Sequence, residues 1–134
     1  MAAPFGPLTY LYVGSADTEK DLRFYTEVLG GELVWQFHGF GAHVGAVRLG
    51  DGPLFLLADH RPAKSSIFIY RVESLDATTK QLEKQGWKKS GEPVEVPDGP
   101  VLVLHDPTGN EIGLLEQVRP DALTAEYQRE HQTS

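Results

Sequence analysis

The chain has 134 residues, 40% hydrophobic and 23% charged, with a net charge of −7 and no cysteine. That length and balance describe one globular domain rather than a disordered chain, and the lack of cysteine removes disulfides, thiolate metal sites and cysteine nucleophiles together. The acidic balance argues against nucleic acid as a partner, because its recognition rests on clustered Lys and Arg, and no apolar run is long enough to span a membrane. The start, MAAPFGPLTY, has no basic region followed by an apolar one, so no secretion signal is expected and a cytoplasmic location is the default.

Taken in order, LTYLYV (8–13) is β-branched and aromatic and reads as a strand. GSAD turns the chain into a helix, TEKDLRFYTEVLGG, which Ser15 or Asp17 can cap and whose first turn carries Glu19 and Asp21. Leu22, Tyr25, Val28 and Leu29 give it one apolar face, and Gly30–Gly31 ends it. Three strands follow: ELVWQF (32–37), HVGAVRL (43–49) and PLFLLA (53–58), joined by the glycine-rich turns HGFG and GDG.

The same plan then repeats. SIFIYRV (66–72) is a strand, and SLDATTKQLEKQGW (74–87) is a helix capped by Ser74 and closed by Gly86. PVEV (93–96), PVLVLH (100–105) and EIGLLEQ (111–117) are three more strands, with PDG and DPTGN as turns. YLYV…D…L…GG is echoed by FIYRV…D…L…G, at a period of about 58 residues, which signals duplication of one unit that cannot bury its sheet alone. The expected organisation is a single domain over 1–134: module one at about 6–60, module two at about 65–117, and a polar tail 118–134 with a short helix after Pro120.

Two β-α-β-β-β modules, with FYTEVLGG (24–31) ending the first helix and HDPTGNEIGLLE near the C-terminus, resemble the vicinal oxygen chelate superfamily, the group of glyoxalase I, extradiol dioxygenases, fosfomycin resistance and bleomycin resistance proteins. The resemblance covers roughly residues 6–117. It implies an α+β fold whose mixed sheet curls into a U round a cavity, and a divalent metal held there by His or Glu from four strand positions. Carried over residue by residue, those positions fall on Leu8, counted back from Val13; on Ile67, counted back from Val72; on Gly113, after the DP-x-GN-x-I run; and, by the internal repeat of LFLL on IGLL, on Phe55. None offers a lone pair to a cation. No His, Asp or Glu occurs anywhere in 8–13 or 66–72, so a slip of one residue restores nothing. Gly113 is expected to keep the hairpin, drop the carboxylate and leave room. The chain thus looks like a branch of the family without the usual metal ligands.

Strand side chains alternate in facing, so positions of one parity line one side. Parity puts Tyr10 and Tyr12 with Leu8 on the concave side, Ile67, Ile69 and Arg71 from the next module, Glu111, Gly113 and Leu115 from the last strand, Phe55 and Leu57 from the fourth, and Trp35 and Phe37 from the second. The expected ligand-binding residues are Tyr10, Tyr12, Trp35, Phe37, Phe55, Leu57, Ile67, Ile69, Arg71, Glu111 and Gly113, an apolar, aromatic wall with a few polar groups. Aromatic stripes of this kind also serve as plain core, and Arg71 can equally form a surface pair with Glu111 or Glu73.

Among the five histidines, His43 and His105 are the best candidates for a general base or a relocated ligand, with His60 a third, but none shows H-x-x-x-H spacing. Catalytic residues are therefore unassigned. The leading expectation is a metal-free, cofactor-free protein of the bleomycin-resistance-like branch that binds a small organic molecule, and the resemblance implies a homodimer. The alternatives are a metal-dependent lyase, isomerase or dioxygenase-like enzyme using His43, His60 or His105, and an accessory subunit whose pocket is filled by its own Trp35, Phe37 and Phe55.

Overall fold

The structure, a computed structural model, describes residues 4–89 and 91–131. Its elements are β1 (Leu8–Gly14), α1 (Thr18–Arg23), β2 (Glu32–Gly39), β3 (Ala42–Arg48), β4 (Leu54–Ala58), β5 (Ser66–Val72), α2 (Leu75–Lys84), β6 (Val94–Val96), β7 (Gly99–His105), β8 (Glu111–Glu116) and α3 (Ala122–Glu130). All eight strands join one curled, mixed sheet in the order β2-β3-β4-β1-β5-β8-β7-β6. Each module closes on itself through a parallel pair, β1 with β4 and β5 with β8, and the modules meet along the antiparallel pair β1–β5. This α+β half-barrel is the architecture that the duplicated sequence pattern implies.

Helices α1 and α2 cover the convex side. Leu22 of α1 packs on Val47 and Leu57, and Leu75 of α2 on Val72, Leu102 and Leu114. Asp17 caps α1 by accepting from Lys20 N at 3.1 Å, while the Ser15 hydroxyl donates to Asp21 Oδ2 at 2.6 Å. Ser74 caps α2 from Ala77 N, and Glu116 Oε1 accepts from Leu75 N at 2.7 Å, tying the helix start to the end of β8. Glu116 is thereby a structural group.

The first helix departs from its expected form. After Arg23 the chain widens into a π-turn over Phe24–Val28, with Leu29 N bonded to Phe24 O at 3.1 Å. The extra residue per turn rotates the apolar stripe off its face. Leu22 stays buried, but Val28 and Leu29 turn outward to 68% and 50% exposure.

Concave-face register follows from the pairings. One row crosses seven strands as Trp35, Ala46, Leu56, Tyr12, Ile67, Glu111 and His105. The next row runs Leu54, Tyr10, Ile69, Gly113, Val103. The inner clusters confirm the facing: Trp35, Val44, Ala46, Leu56 and Ala58 on one half, Ile67, Ile69 and Leu115 on the other, with Tyr10 and Tyr12 packed against both.

Two parity assignments are corrected by this register. Phe55 and Leu57 face the helices, the Phe55 ring lying 5.8 Å from that of Tyr25 and Leu57 packing on Leu22 and Val47. Aligning LFLL with IGLL equated Phe55 with Gly113. The strand pairings instead set Leu56 beside Tyr12 and Gly113 beside Ile69, so the repeat is offset by one residue and Leu54 and Leu56 turn inward. At the start of β1, an irregularity between Leu8 and Tyr10 places Leu8 opposite Tyr70, so simple alternation from Tyr10 does not reach it.

Candidate functional site

Two elements fold over the concave face. Helix α3 lies across β2, with Leu123 and Tyr127 packed on the cluster round Trp35, which is only 3% exposed. At the far end, the turn between β6 and β7 reaches back across the curl of the sheet. Its Asp98, 4% exposed, accepts from Tyr10 Oη at 2.5 Å and from Gln117 Nε2 at 3.3 Å. Arg119 holds that turn from outside, pairing with Glu95 and donating from Nε to Pro97 O at 2.8 Å.

Burial is the main cause that raises the Tyr10 pKa well above the ordinary value, with the Asp98 hydrogen bond and charge adding to it. Tyr10 is therefore a neutral donor whose partner is already supplied by the protein. Between Tyr127 and the turn, Gln36, Phe37, His38 and Pro97 help line an open cleft of about 570 Å³. Phe37 stacks on Phe40 at its rim.

The opposite mouth is polar. Tyr12 Oη lies 2.9 Å from His60 Nε2, and the two rings meet edge to face at 5.8 Å. Burial pushes the Tyr12 hydroxyl up to about 12, against the opposing pull of the Arg61 charge. Arg61 pairs with Glu111 through Nη2, and the second Glu111 oxygen stands 3.5 Å from His105 Nε2. Arg61 Nε is buried and has no hydrogen-bond partner among the described residues.

The residues singled out from the sequence divide accordingly. Tyr10, Tyr12, Ile67, Ile69, Glu111 and Gly113 share the concave face of the modules' junction, and Trp35 and Phe37 share the face under α3. Arg71 sits opposite Leu115 with an exposed side chain, and Glu111 pairs with Arg61 instead of with it. Gly113 leaves no open space: a Cβ there would stand 2.9 Å from Ile69 Cγ1 and 3.4 Å from Ile67 Cγ2. The gap left by the missing side chain is occupied by the isoleucines, contrary to the expected vacancy.

His43 is elsewhere, stacked on His38 at 3.9 Å with Nε2 2.7 Å from Gln36 Oε1. Its pKa is lowered, first by burial and then by His38. No group of three His, Asp or Glu side chains suited to a metal ion occurs among the described residues. A divalent cation needs converging oxygen or nitrogen donors. At the junction, the strand positions that would supply them carry Ile67, Gly113 and Leu56, and the nearby phenols are held protonated. These residues do not fit the metal that the family typically carries.

Arg61, Asp98 and Gln117 were not singled out from the sequence, whereas His60 was named there as a candidate relocated ligand. Arg61 stands next to His60 in the HR pair after β4, and that adjacency was a usable signal for it. Asp98 is 88 positions from Tyr10, and only the curl of the sheet joins them.

The family model for the glyoxalase/bleomycin resistance protein/dioxygenase superfamily matches residues 8–114, and the chain belongs to that superfamily. No curated protein matches the sequence. Among solved structures, methylmalonyl-CoA epimerase from Mycobacterium tuberculosis is similar at a TM-score of 0.71 and 18% identity, over 85% of this chain and 89% of that one. A hypothetical protein from Bacillus halodurans C-125 gives 0.68 and 16%, over 80% and 91%. Streptomyces coelicolor methylmalonyl-CoA epimerase in complex with 2-nitronate-propionyl-CoA gives 0.67 and 14%, over 82% and 96%. At such identities these likenesses speak to the fold.

Proposed function

We propose that this protein binds a small organic molecule on the concave face without a metal, as a sequestration- or resistance-type member of its superfamily. The observation that carries this reading is the exchange of groups at the module junction. Where the family implies metal donors, the junction carries Ile67 and Gly113 packed beside Ile69, with the Tyr12 hydroxyl next to them and the Tyr10 hydroxyl held by Asp98. Such a surface suits an apolar or aromatic body oriented by a few hydrogen bonds. The protein is proposed to act as a homodimer in the cytoplasm. The exposed Phe24, Val28 and Leu29 at the end of the first helix support a surface that a second copy covers.

A second reading, a metal-dependent lyase, isomerase or dioxygenase-like enzyme with relocated ligands, draws on His60, His105 and Glu111 sharing one mouth. Metal content per chain, measured by plasma mass spectrometry on untagged protein prepared without chelator, separates the two. The binding reading expects far less than one equivalent and no change in melting temperature on adding chelator. A stoichiometric metal that survives gel filtration would sink it and direct assays to glyoxalase- and dioxygenase-type reactions. A thermal-shift screen of small aromatic compounds then tests binding itself; a library without a single stabilising compound counts against any open cavity.

A further inference from the structure

The module junction itself offers little room for a guest. Ile67 and Ile69 are 5% and 7% exposed, both crowd Gly113, and the Tyr10 hydroxyl is taken by Asp98. Room lies further along the concave face, in the open cleft of about 570 Å³ between α3, β2 and the β6–β7 turn. That is a volume suited to a small organic molecule. One wall of the cleft is not part of the shared family architecture: the matched region ends at residue 114, and α3 begins at Ala122.

The sheet side of the cleft is aromatic. Phe37 lines it, and its ring folds back over Gly39, where a Cβ would stand 2.8 Å from Phe37 Cζ. So folded, it stacks on Phe40 with ring centroids 6.5 Å apart. Phe40 and Gly41 form the two-residue turn between β2 and β3, and both have positive φ, 52° and 75°. Such turns favour Asn, Asp or Gly, and a phenylalanine in left-handed backbone is under steric strain. Phe40 is also fully exposed, so no burial offsets that strain. A large ring held in water against strain is characteristic of a rim that contacts a ligand.

The helix side carries a second aromatic pair and the charge. Tyr127 and His131 stack at 4.0 Å, and both line the cleft with Leu123. Glu126 and Glu130 line it too, and no Lys or Arg does. Glu126 is engaged by Arg129, whereas the Glu130 carboxylate has no ion pair among the described residues. Aromatic ring faces and a carboxylate favour the same kind of guest, a positive charge on a flat apolar body.

We propose that a planar aromatic cation, a ring system of two or more fused rings bearing an amine, binds in the α3 cleft between Phe37 and Tyr127 with its charge towards Glu130. The inference rests on the reading of the concave face as a small-molecule site; it adds where on that face the guest sits and what chemistry it carries.

The test titrates 2-naphthylmethylamine and its neutral counterpart, 2-naphthylmethanol, into isotope-labelled protein. NMR follows the ring signals of Phe37 and Tyr127, the Leu123 methyls, and the methyls of Ile67 and Ile69. Both probes should shift the Phe37, Tyr127 and Leu123 signals and leave the isoleucines still. The amine should bind about three- to fivefold more tightly at low salt, with the gap closing as salt is raised. Glu130→Gln, a change at an exposed position, should bring the amine down to the alcohol and leave the alcohol as it was. Phe37→Leu keeps apolar bulk without the ring and should weaken both probes by about threefold or more.

Equal binding of the two probes, unmoved by Glu130→Gln, overturns the cation inference and leaves the small-molecule reading standing. Shifts at Ile67 and Ile69 without Leu123 place the guest at the junction and overturn the site, again sparing that reading. No shift at either place with millimolar probe overturns the inference outright; the broader reading fails only if the thermal-shift screen also finds nothing.

Discussion

The carbonyl oxygen of Pro62 stands where the side chain of residue 14 would begin: a Cβ built on Gly14 falls 1.8 Å from it. This contact seats the 59–65 loop on the end of β1. Backbone bonds from Gly14 N to Ser65 O and from Ser15 N to Ala58 O complete the seat. His60 and Arg61 ride on that loop, so a glycine with no chemistry of its own decides where the two polar groups meet Tyr12 and Glu111.

Gly14→Ala is accordingly expected to displace the loop rather than merely fill space, because the obstacle is backbone and cannot swing aside. A loss of about 2–4 kcal/mol in denaturant unfolding is expected. The Tyr12–His60 and Arg61–Glu111 contacts should loosen together, seen as altered His60 and Arg61 side-chain resonances. Wild-type stability in the alanine variant would mean that the loop does not sit against β1 as described.

Tyr10 joins β1 to the β6–β7 turn through a buried carboxylate, so its removal is a question of stability as well as of binding. Tyr10→Phe keeps the ring but leaves Asp98, 4% exposed, with only the longer bond from Gln117. A cost of about 1–3 kcal/mol is expected, and Tyr10→Phe with Asp98→Asn together should cost less than the sum of the two single changes. Strict additivity would show that the two groups do not interact in solution.

Much of this architecture was legible because local chemistry is repeated. Alternating β-branched strands, Ser74 and Asp17 at helix starts, and the DPTGN turn each name their element without outside help. In that turn Asp106 Oδ1 accepts from Thr108 N and Asn110 N at 3.1 and 2.8 Å, all within five residues. Facing was less secure where it rested on counting. A one-residue offset between the halves inverted Phe55 and Leu57, and the π-turn freed Val28 and Leu29. The site was half visible: Tyr10, Tyr12, Ile67 and Glu111 follow from parity, whereas Asp98, His60 and Arg61 are brought in by curl and loop geometry that no periodicity encodes.

At Gly113 the fold has closed over the position where the family's carboxylate is expected. Adding one methyl brings Cβ to 2.9 Å from Ile69 Cγ1, the branched middle of a buried side chain with little freedom to move. Gly113→Ala should therefore destabilise by about 1–3 kcal/mol, and combining it with Ile69→Ala, which removes Cγ1, should cost less than the sum of the two single changes. An alanine variant as stable as the parent would mean that the space is open after all.

The acid side of stability has a local source in the β7–β8 hairpin. Hydrogen bonds from Asn110 first, and then from Thr108, hold the Asp106 carboxyl below its usual range. The folded pKa is depressed, so this contribution is present above the ordinary carboxylate pKa, near pH 4, and is lost as pH falls through the lower folded value. Amide exchange at Asn110 and Thr108 should quicken in that acid window, and Asp106→Ala should abolish the pH dependence there. Exchange unaffected by acidification would place the turn's stability elsewhere.

On the alkaline side Tyr12 contributes alongside Tyr10, whose pKa burial also raises. The folded pKa of Tyr12, pushed up to about 12, lies above the ordinary 10.0, so the protonated phenol is the form the fold prefers. The contribution is complete below pH 10 and declines as pH rises through 12. Ultraviolet titration of phenolate absorbance should show Tyr12 ionising late, and Tyr12→Phe should remove one late step while leaving the earlier ones in place. A Tyr12 that ionises at the ordinary value would show that it is not buried on the concave face.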